Sequence, residues 1–305
     1  MSANTDRTFE RISLVCAIGV VAVVFLIGSV LLWESSPVFQ KLGWRLLTNS
    51  QWDPVGEEFG LVPFIYGTLV SALLALLFAI PFSLGIAIFL TELSPDWLRG
   101  PTAFLIELLA AIPSVIYGLW GIFYLAPWLR QSVEPLLIQL NLPLFRGPAY
   151  GIGMLAAGII LAIMIIPIIA SIARDVFQAV PMHQREAALA LGATRWEVTR
   201  LAVLKYSESG ILGAIFLGLG RALGETMAVT MVIGNRPEIS LSLLAPSHTM
   251  ASVLANEFAE ASGALHLSAL AAIGISLFVI TFLTNAAARF LVWKVSGVAV
   301  AGRRE

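Results

Sequence analysis

The chain has 305 residues, of which 58% are hydrophobic and 12% charged, and its formal net charge is −1. Soluble domains average roughly 25% charged residues, so the composition excludes a water-soluble globular fold, and the near-neutral charge gives no bulk attraction to nucleic acid. One cysteine, Cys16, excludes an internal disulfide and a cysteine-cluster metal site.

The length divides by membrane spans, each needing about 20 apolar residues. In chain order the hydrophobic runs predict an all-α polytopic membrane protein with six transmembrane helices. The first, 12–33, follows a polar start and is too long for a signal-peptide core, so it reads as a retained anchor. The others are 62–90 with Pro81, 102–126 with Pro113, 150–173 with Pro167, 209–234 and 266–293. Interior prolines are tolerated in such helices because neighbouring groups satisfy the freed backbone. Segments 34–61 and 127–149 read as ordered surface loops, and 235–265 as a connection dipping into the interface. The expected division is an anchor span with an external loop (1–61), a transmembrane core (62–293) holding a loop at 174–208, and a short tail (294–305).

Lys and Arg in the connections set the orientation. Arg7, Arg11, Arg99, Arg174, Arg185, Arg195, Arg200, Lys205, Lys294, Arg303 and Arg304 fall on one side, and Lys41, Arg45, Arg130, Arg146 and Arg236 on the other. The positive-inside rule then puts both termini in the cytoplasm. Trp33, Trp44, Trp52, Trp128 and Trp293 lie near span ends or in loops, where interfacial indoles are common.

The 174–208 connection carries its own helix code. HQREAALAL is rich in strong helix formers, and Gly192 follows where a C′ glycine ends a helix. Thr194 and Glu197 form a capping-box pattern for a second helix. Ala187, Ala188 and Leu191, flanked by Arg185 and Glu186, give the first helix a face suited to a groove on a partner; a solvated connector fits the helix signals equally well.

The fifth span is apolar or small from 213 to 234 except for Arg221 and Glu225. A charge at that depth costs about 2.5–3.5 kcal/mol on insertion scales, so it marks a pathway or a binding role by default. At i, i+4 the two share one helix face, and an arginine fork can hold phosphate through two N–H bonds. A neighbouring carboxylate would hold the guanidinium between substrates; the bland alternative is a structural salt bridge to another helix. Gly213, Gly220 and Gly224 permit close approach of another helix. Glu107, near the start of the third span, reads as structural. His183, His248 and His266 lack ligand spacing. Gly151-x-Gly153-x-x-Ala156 follows no strand and is not a dinucleotide site. The chain has no G-x-x-x-x-G-K-[ST], no H-E-x-x-H and no G-x-S-x-G. It carries no ATP site or other cofactor of its own, and an intramembrane enzyme is disfavoured.

REAALALGATRWEVTRLAVLK resembles the EAA motif of ABC importer permeases of type I, with Glu186, Ala187, Ala188 and Gly192 in place and Leu204 matching at the far end. Ala202 and Lys205 depart from that pattern, so the helix is expected to continue smoothly there. Segments 106–121, 164–181 and 218–229 (GLGRALGETMAV) together resemble the phosphate-specific branch, and the RALGET form is more similar to its C subunit (PstC-type). The resemblance covers about residues 62–293. It implies the type I permease fold and a permease of an ATP-driven phosphate importer in a bacterial plasma (inner) membrane. It also implies a second homologous permease subunit, two ATPase subunits and an external phosphate-binding protein. Glu186, Ala187, Ala188, Leu191 and Gly192 would couple to the ATPase, and Arg221 and Glu225 would line the substrate pathway. An importer of another oxyanion, molybdate or sulfate, is the alternative.

Overall fold

A computed structural model describes residues 3–301, with side-chain surroundings for 9–295. Arg303 and Arg304 of the expected charge bias lie outside the described residues, and of Arg7 only the backbone is described. Among the described residues the regular structure is helical; two isolated bridges, Asp53 with Glu58 and Gly234 with Ser247, are the extent of β pairing.

Four helices are long and apolar enough to cross a membrane, and up to six if each of two bent pairs counts as one span. Helix α1 runs Ala3–Leu42 and α2 Val62–Ile88. The expected third span is broken: α3, Asp96–Ala110, meets α4, Ser114–Gln139, at 90°. Pro113 explains the break, since it supplies no N–H and biases Ile112 out of the helical region. Helix α5 runs Met154–Gln178. The 174–208 connection holds α6, Met182–Ala190, and α7, Arg195–Leu204. Helix α7 does not run smoothly onward: it ends in a wide π turn over Thr199–Leu204, and α8, Glu208–Gly224, leaves at 74°. The expected fifth span is also interrupted, because α8 stops at Gly224 and α9 occupies Met227–Val232. Helix α10, Met250–Glu257, lies within the expected interfacial connection, and α11 runs Ala264–Ala301, past the expected boundary at 293.

Helix α5 is the centre of the molecule: two thirds of its most apolar window is buried, against none of that of α1. Small residues let α2 approach it closely. Ala72, Ala75 and Ala79 meet Ala156, Ala157 and Ala162 in one core, and Gly158 lies so close that an added Cβ would stand 2.8 Å from the Leu74 Cβ. Such seams let van der Waals packing hold helices where lipid removes the hydrophobic drive. Ser83 of α2 donates to the Ile166 carbonyl of α5 (3.2 Å) beside Pro167, tying the helices polarly as well. Helix α8 packs on α5 through Gly210 against Val176 and Gly218 against Ile169. The outer face of α1 stays apolar and exposed, as a lipid-facing surface should, and its inner side meets α11 where Gly28 lies against Phe278.

A second core closes the end opposite the 174–208 loop. Trp52 packs edge-on against Phe59 and Phe64, with ring centroids 5.0 and 4.9 Å apart. Its indole N–H donates to Glu257 (3.0 Å), which also meets His266 Nε2 (3.0 Å). Trp52 therefore serves as a core residue rather than an interfacial indole, while Trp33, Trp44, Trp128 and Trp293 remain exposed. Thr68 accepts from the Met250 N–H (2.9 Å) and holds α10 to α2. At the preceding residue, an added Cβ on Gly67 would stand 2.1 Å from the His248 carbonyl oxygen, a backbone atom that cannot step aside. Gly67→Ala is expected to cost about 1–3 kcal/mol. Gly85→Ala on the same helix meets nothing within 4 Å and is expected to be neutral within about 0.5 kcal/mol. Thermal melting of the two purified variants in detergent checks the contrast.

Candidate functional site

The structure brings the two sequence-predicted residues of the fifth span close in sequence but not onto one helical face. Helix α8 ends at Gly224, and Glu225 has extended backbone angles (φ −72°, ψ 126°). Its carboxylate accepts from the Ala228 N–H (3.4 Å) at the start of α9. Thr226 donates to the Gly224 carbonyl (3.3 Å), and Thr230 to the Thr226 carbonyl (2.8 Å). Glu225 and Thr226 thereby satisfy backbone groups at the interruption, whereas the Thr226 carbonyl also takes the Thr230 N–H (2.9 Å). No ion pair joins Arg221 to Glu225, and among the described residues Arg221 makes no hydrogen bond or ion pair. It sits exposed in the last turn of α8, where the partial negative charge of the helix C-terminus favours a cation.

The face around Arg221 is open. Leu217 is 59% exposed, and Cβ atoms added at Gly213, Gly220 or Gly224 would meet nothing within 4 Å. Among the described residues no other helix of this chain meets Gly213, Gly220 or Gly224, against the expectation; the close approach to α5 is made instead by Gly210 and Gly218. Rotational phase decides this, and a run of glycines does not reveal it. Across the gap, α4 stacks on α9: Gly118 lies against Met231, and Gly121 against Val232 and Ile160. The Tyr117 hydroxyl donates to the Leu109 carbonyl (2.8 Å), bridging the break between α3 and α4. The guanidinium of Arg221 lies within electrostatic reach of this tyrosine. Two broken helices therefore meet beside one unpaired cation.

The loop at the other site follows its local code. Helix α6 ends at Ala190, and Gly192 adopts φ +85°, the left-handed conformation that favours glycine. The Ala193 N–H bonds to Ala188 O (3.2 Å) and the Gly192 N–H to Leu189 O (2.9 Å), a Schellman motif. Thr194 then caps α7 with Glu197 in a reciprocal capping box. Glu186, Ala187 and Leu191 are exposed, Leu191 at 89%, and Ala188 is half-buried; Trp196 adds exposed apolar surface beside them.

Sequence reasoning missed the partners of the basic residues here. Arg174 still belongs to α5 and pairs with Glu107 of α3 (3.2 Å), which gives Glu107 its structural role. Arg185 does not flank an exposed face; it turns inward to Glu92, at 3.0 Å. Only a pairing of distant segments could have signalled either contact.

The Thr194 N–H and hydroxyl both donate to Glu197 and hold its carboxyl below the ordinary carboxylate range. A lowered folded pKa means the contribution is full above about 4.3, the unfolded value, and is lost as pH falls through the folded pKa. Hydrogen-exchange protection of amides 195–198 is expected to hold at neutral pH and to fall in acid. Thr194→Ala keeps the backbone N–H, the larger cause, and removes the hydroxyl, so it should weaken that pH dependence and lower the protection at neutral pH.

The comparisons with known proteins agree with this architecture. The model of the binding-protein-dependent transport system inner membrane component family matches residues 79–297. The phosphate transport system permease protein PstC of Mesorhizobium japonicum is 49% identical, the match covering 96% of this chain and 91% of that protein. The PstC of Pasteurella multocida is 50% identical over 86% of this chain and 83% of its own length, and PstC 2 of Mycobacterium tuberculosis 42% over 93% and 90%. Among solved structures, the inward-facing MetNI methionine ABC transporter matches with a TM-score of 0.60 at 18% identity, covering 77% of this chain and 95% of that one. A bacterial ABC transporter that imports the acidic polysaccharide alginate matches at 0.61 and 15%, covering 94% and 98%. At those identities the likeness is one of fold. With the broken third and fifth spans and the capped 174–208 loop, these matches show that the chain belongs to the binding-protein-dependent transport system inner membrane component family, among the PstC-type permeases, with the fold of type I ABC importer permeases.

Proposed function

We propose that this chain is the permease subunit of an ATP-driven importer of inorganic phosphate, forming the translocation pathway with a second, homologous permease subunit. The permeases listed above supply the substrate class, and Arg221 is the observation that carries the site. An exposed guanidinium on an apolar helix is costly against lipid, so its face is covered by another subunit or lines an aqueous path. The open glycines beside it fit the first, and its unpaired N–H donors fit the second. Phosphate offers the oxygen geometry that an arginine fork binds through two bonds, which a lysine does not match. Glu225, one residue past the helix, sets the field at the same place while holding the start of α9.

The chain hydrolyses nothing itself. Two ATPase subunits supply the energy and an external phosphate-binding protein delivers the substrate. The exposed edge of α6, from Glu186 to Leu191, docks in a groove of an ATPase subunit, and Gly192 fixes the angle at which α7 departs. Docking there places the 174–208 loop in the cytoplasm. With an even number of crossings both termini follow, as the charge bias of the connections requires. ATP-driven closure then moves α6 and switches the Arg221 region between outward and inward access. Residues 1–61 add an anchor span and external loop to the core at 62–293, and 294–305 form a tail.

Phosphate uptake by the reconstituted complex tests the pathway. Arg221→Lys keeps the charge but loses the fork, and uptake is expected to fall. Arg221→Gln is expected to abolish uptake at unchanged complex yield, with sulfate and molybdate neither transported nor stimulating ATP hydrolysis. Normal uptake in Arg221→Gln contradicts the pathway role. Loss of assembly in that variant assigns Arg221 to a structural salt bridge between subunits.

Co-purification tests the docking. Ala188→Glu is expected to strip ATPase subunits from a chain that still inserts in the membrane. Full retention of the ATPase by that variant would rule the docking surface out.

A further inference from the structure

We infer that Arg185 is the transmission element between α6 and the membrane helices: a buried clamp that turns displacement of the docking helix into movement of α2 and α5. The inference rests on the docking reading of α6 and goes beyond it, because docking requires only the exposed edge of that helix.

Three elements meet at this one side chain. Arg185 Nη1 lies 3.0 Å from Glu92 Oε1, and Nη2 donates to the Phe177 carbonyl at 2.7 Å. Glu92 belongs to the wide turn Phe89–Leu93 that ends α2. Phe177 lies in the last turn of α5 and is fully buried in a small core with Ala87, Ala173, Val180 and Val203. The arginine thus supplies a second donor to a last-turn carbonyl of α5 that also accepts from the Val180 N–H (3.3 Å), at the pole of the helix that favours a cation. Both side chains of the ion pair are largely out of water, Arg185 at 17% exposure and Glu92 at 13%. The salt bridges at Lys41 with Glu57 and Arg99 with Asp96 are, by contrast, exposed.

The rest of α6 gives it little other grip. Among the described residues none of this helix is fully buried; apart from Arg185, only Gln184 and Ala188 are partly covered along Met182–Ala190. Two hollows, of about 460 and 630 Å³, flank it, and Thr91, Met182 and Arg185 line both. The side chain of Arg185 therefore forms part of the wall between them, and the connection of α6 to the end of α2 runs through the clamp rather than through continuous apolar packing. A helix held by packing alone can slide; a helix held by two charge-assisted contacts at one point carries a push to whatever those contacts reach.

The contacts reach the candidate pathway. From the Phe177 turn, α5 continues to Val176 and Ile169, the residues on which Gly210 and Gly218 of α8 rest. The last turn of α8 carries Arg221. The Glu92 contact is a charge–charge contact and not a well-aligned hydrogen bond, since Oε1 has no directed donor. The clamp should therefore tolerate exchange of the two charges better than loss of one. A buried charge left alone is the costly state.

The test uses the full complex of both permeases, the ATPase subunits and the binding protein, in liposomes. Four forms of this chain are compared: Arg185→Gln, Glu92→Gln, the pair of those changes together, and the exchange Arg185→Glu with Glu92→Arg. Three quantities are read: ATPase subunits retained, ATP hydrolysed, and phosphate taken up per ATP. The expected result is that Arg185→Gln retains its ATPase subunits and hydrolyses ATP while uptake per ATP falls about tenfold, the scale of an ordinary coupling between sites. The neutral double variant, which leaves no buried charge unpaired, is expected to assemble at the yield of the unaltered complex and to remain uncoupled. The exchanged pair is expected to recover part of the uptake per ATP. Unchanged uptake per ATP in Arg185→Gln overturns the inference, and so does recovery in the neutral double variant, which would reduce the pair to charge balance. Loss of ATPase subunits from Arg185→Gln also overturns it, by making Arg185 part of the docking surface. Failure of the docking reading shows separately, as full ATPase retention in Ala188→Glu.

Discussion

Backbone polar groups set free inside the bilayer must find partners within the protein, and the architecture of this chain follows from where it breaks its helices and how it satisfies the breaks. In hydrocarbon an unpaired peptide group costs several kcal/mol, so an interruption persists only where side chains repair it. At residues 111–113 the repair comes from the Tyr117 hydroxyl on the Leu109 carbonyl. At 225–226 it comes from Glu225 on the Ala228 N–H and from Thr226 on the Gly224 carbonyl. The two repaired breaks lie together, α4 stacked on α9. The repair also decides the state of the charged residues. The carboxylate is engaged by backbone, and the guanidinium at the end of α8 is left without a partner among the described residues.

That division of labour could not be read from the segment GRALGETMAV. Its hydropathy is continuous, and i, i+4 spacing implies a shared face for as long as the helix continues. The helix ends because the tertiary setting offers Glu225 a better use as the partner of α9 than a salt bridge to Arg221. The spans themselves were legible, because hydropathy and length are local properties; the bend at Pro113 and the stop at Gly224 interrupt two of them, and helix runs on past the expected ends at 33, 126 and 293. The α6–Gly192–α7 unit was legible for the same reason: a left-handed glycine and a capping box are written in adjacent residues. Arg185 was not. Its sequence neighbours mark it as a solvated flank, and its partner Glu92 is brought near by the packing of α2 on α5, which no local pattern encodes. Trp52 makes the same point at the opposite end, where the ring finds Phe59, Phe64 and Glu257 rather than the interface.

Among the described residues the molecule has two well-packed regions and an open face on α8. The small-residue seam of α2 and α5 and the aromatic core around Trp52 hold the two ends, and α8 rides on α5 through Gly210 and Gly218. What is left uncovered is the side of α8 that carries Arg221, Leu217, Gly220 and Gly224. A membrane protein that ended there would expose a charge to lipid. A subunit that meets a homologous partner along that line encloses the charge in a shared, wetted seam, and alternating access then needs only that α5 and α8 move as one body when α6 is pushed.

The most direct measurement is the structure of the complete complex held with phosphate inside the membrane region, its ATPase subunits locked by a non-hydrolysed nucleotide. The account predicts phosphate oxygens within hydrogen-bonding distance of both terminal nitrogens of Arg221, with the Glu225 carboxylate still at the start of α9. A guanidinium bound to a carboxylate of the partner permease, with the phosphate elsewhere, would contradict it.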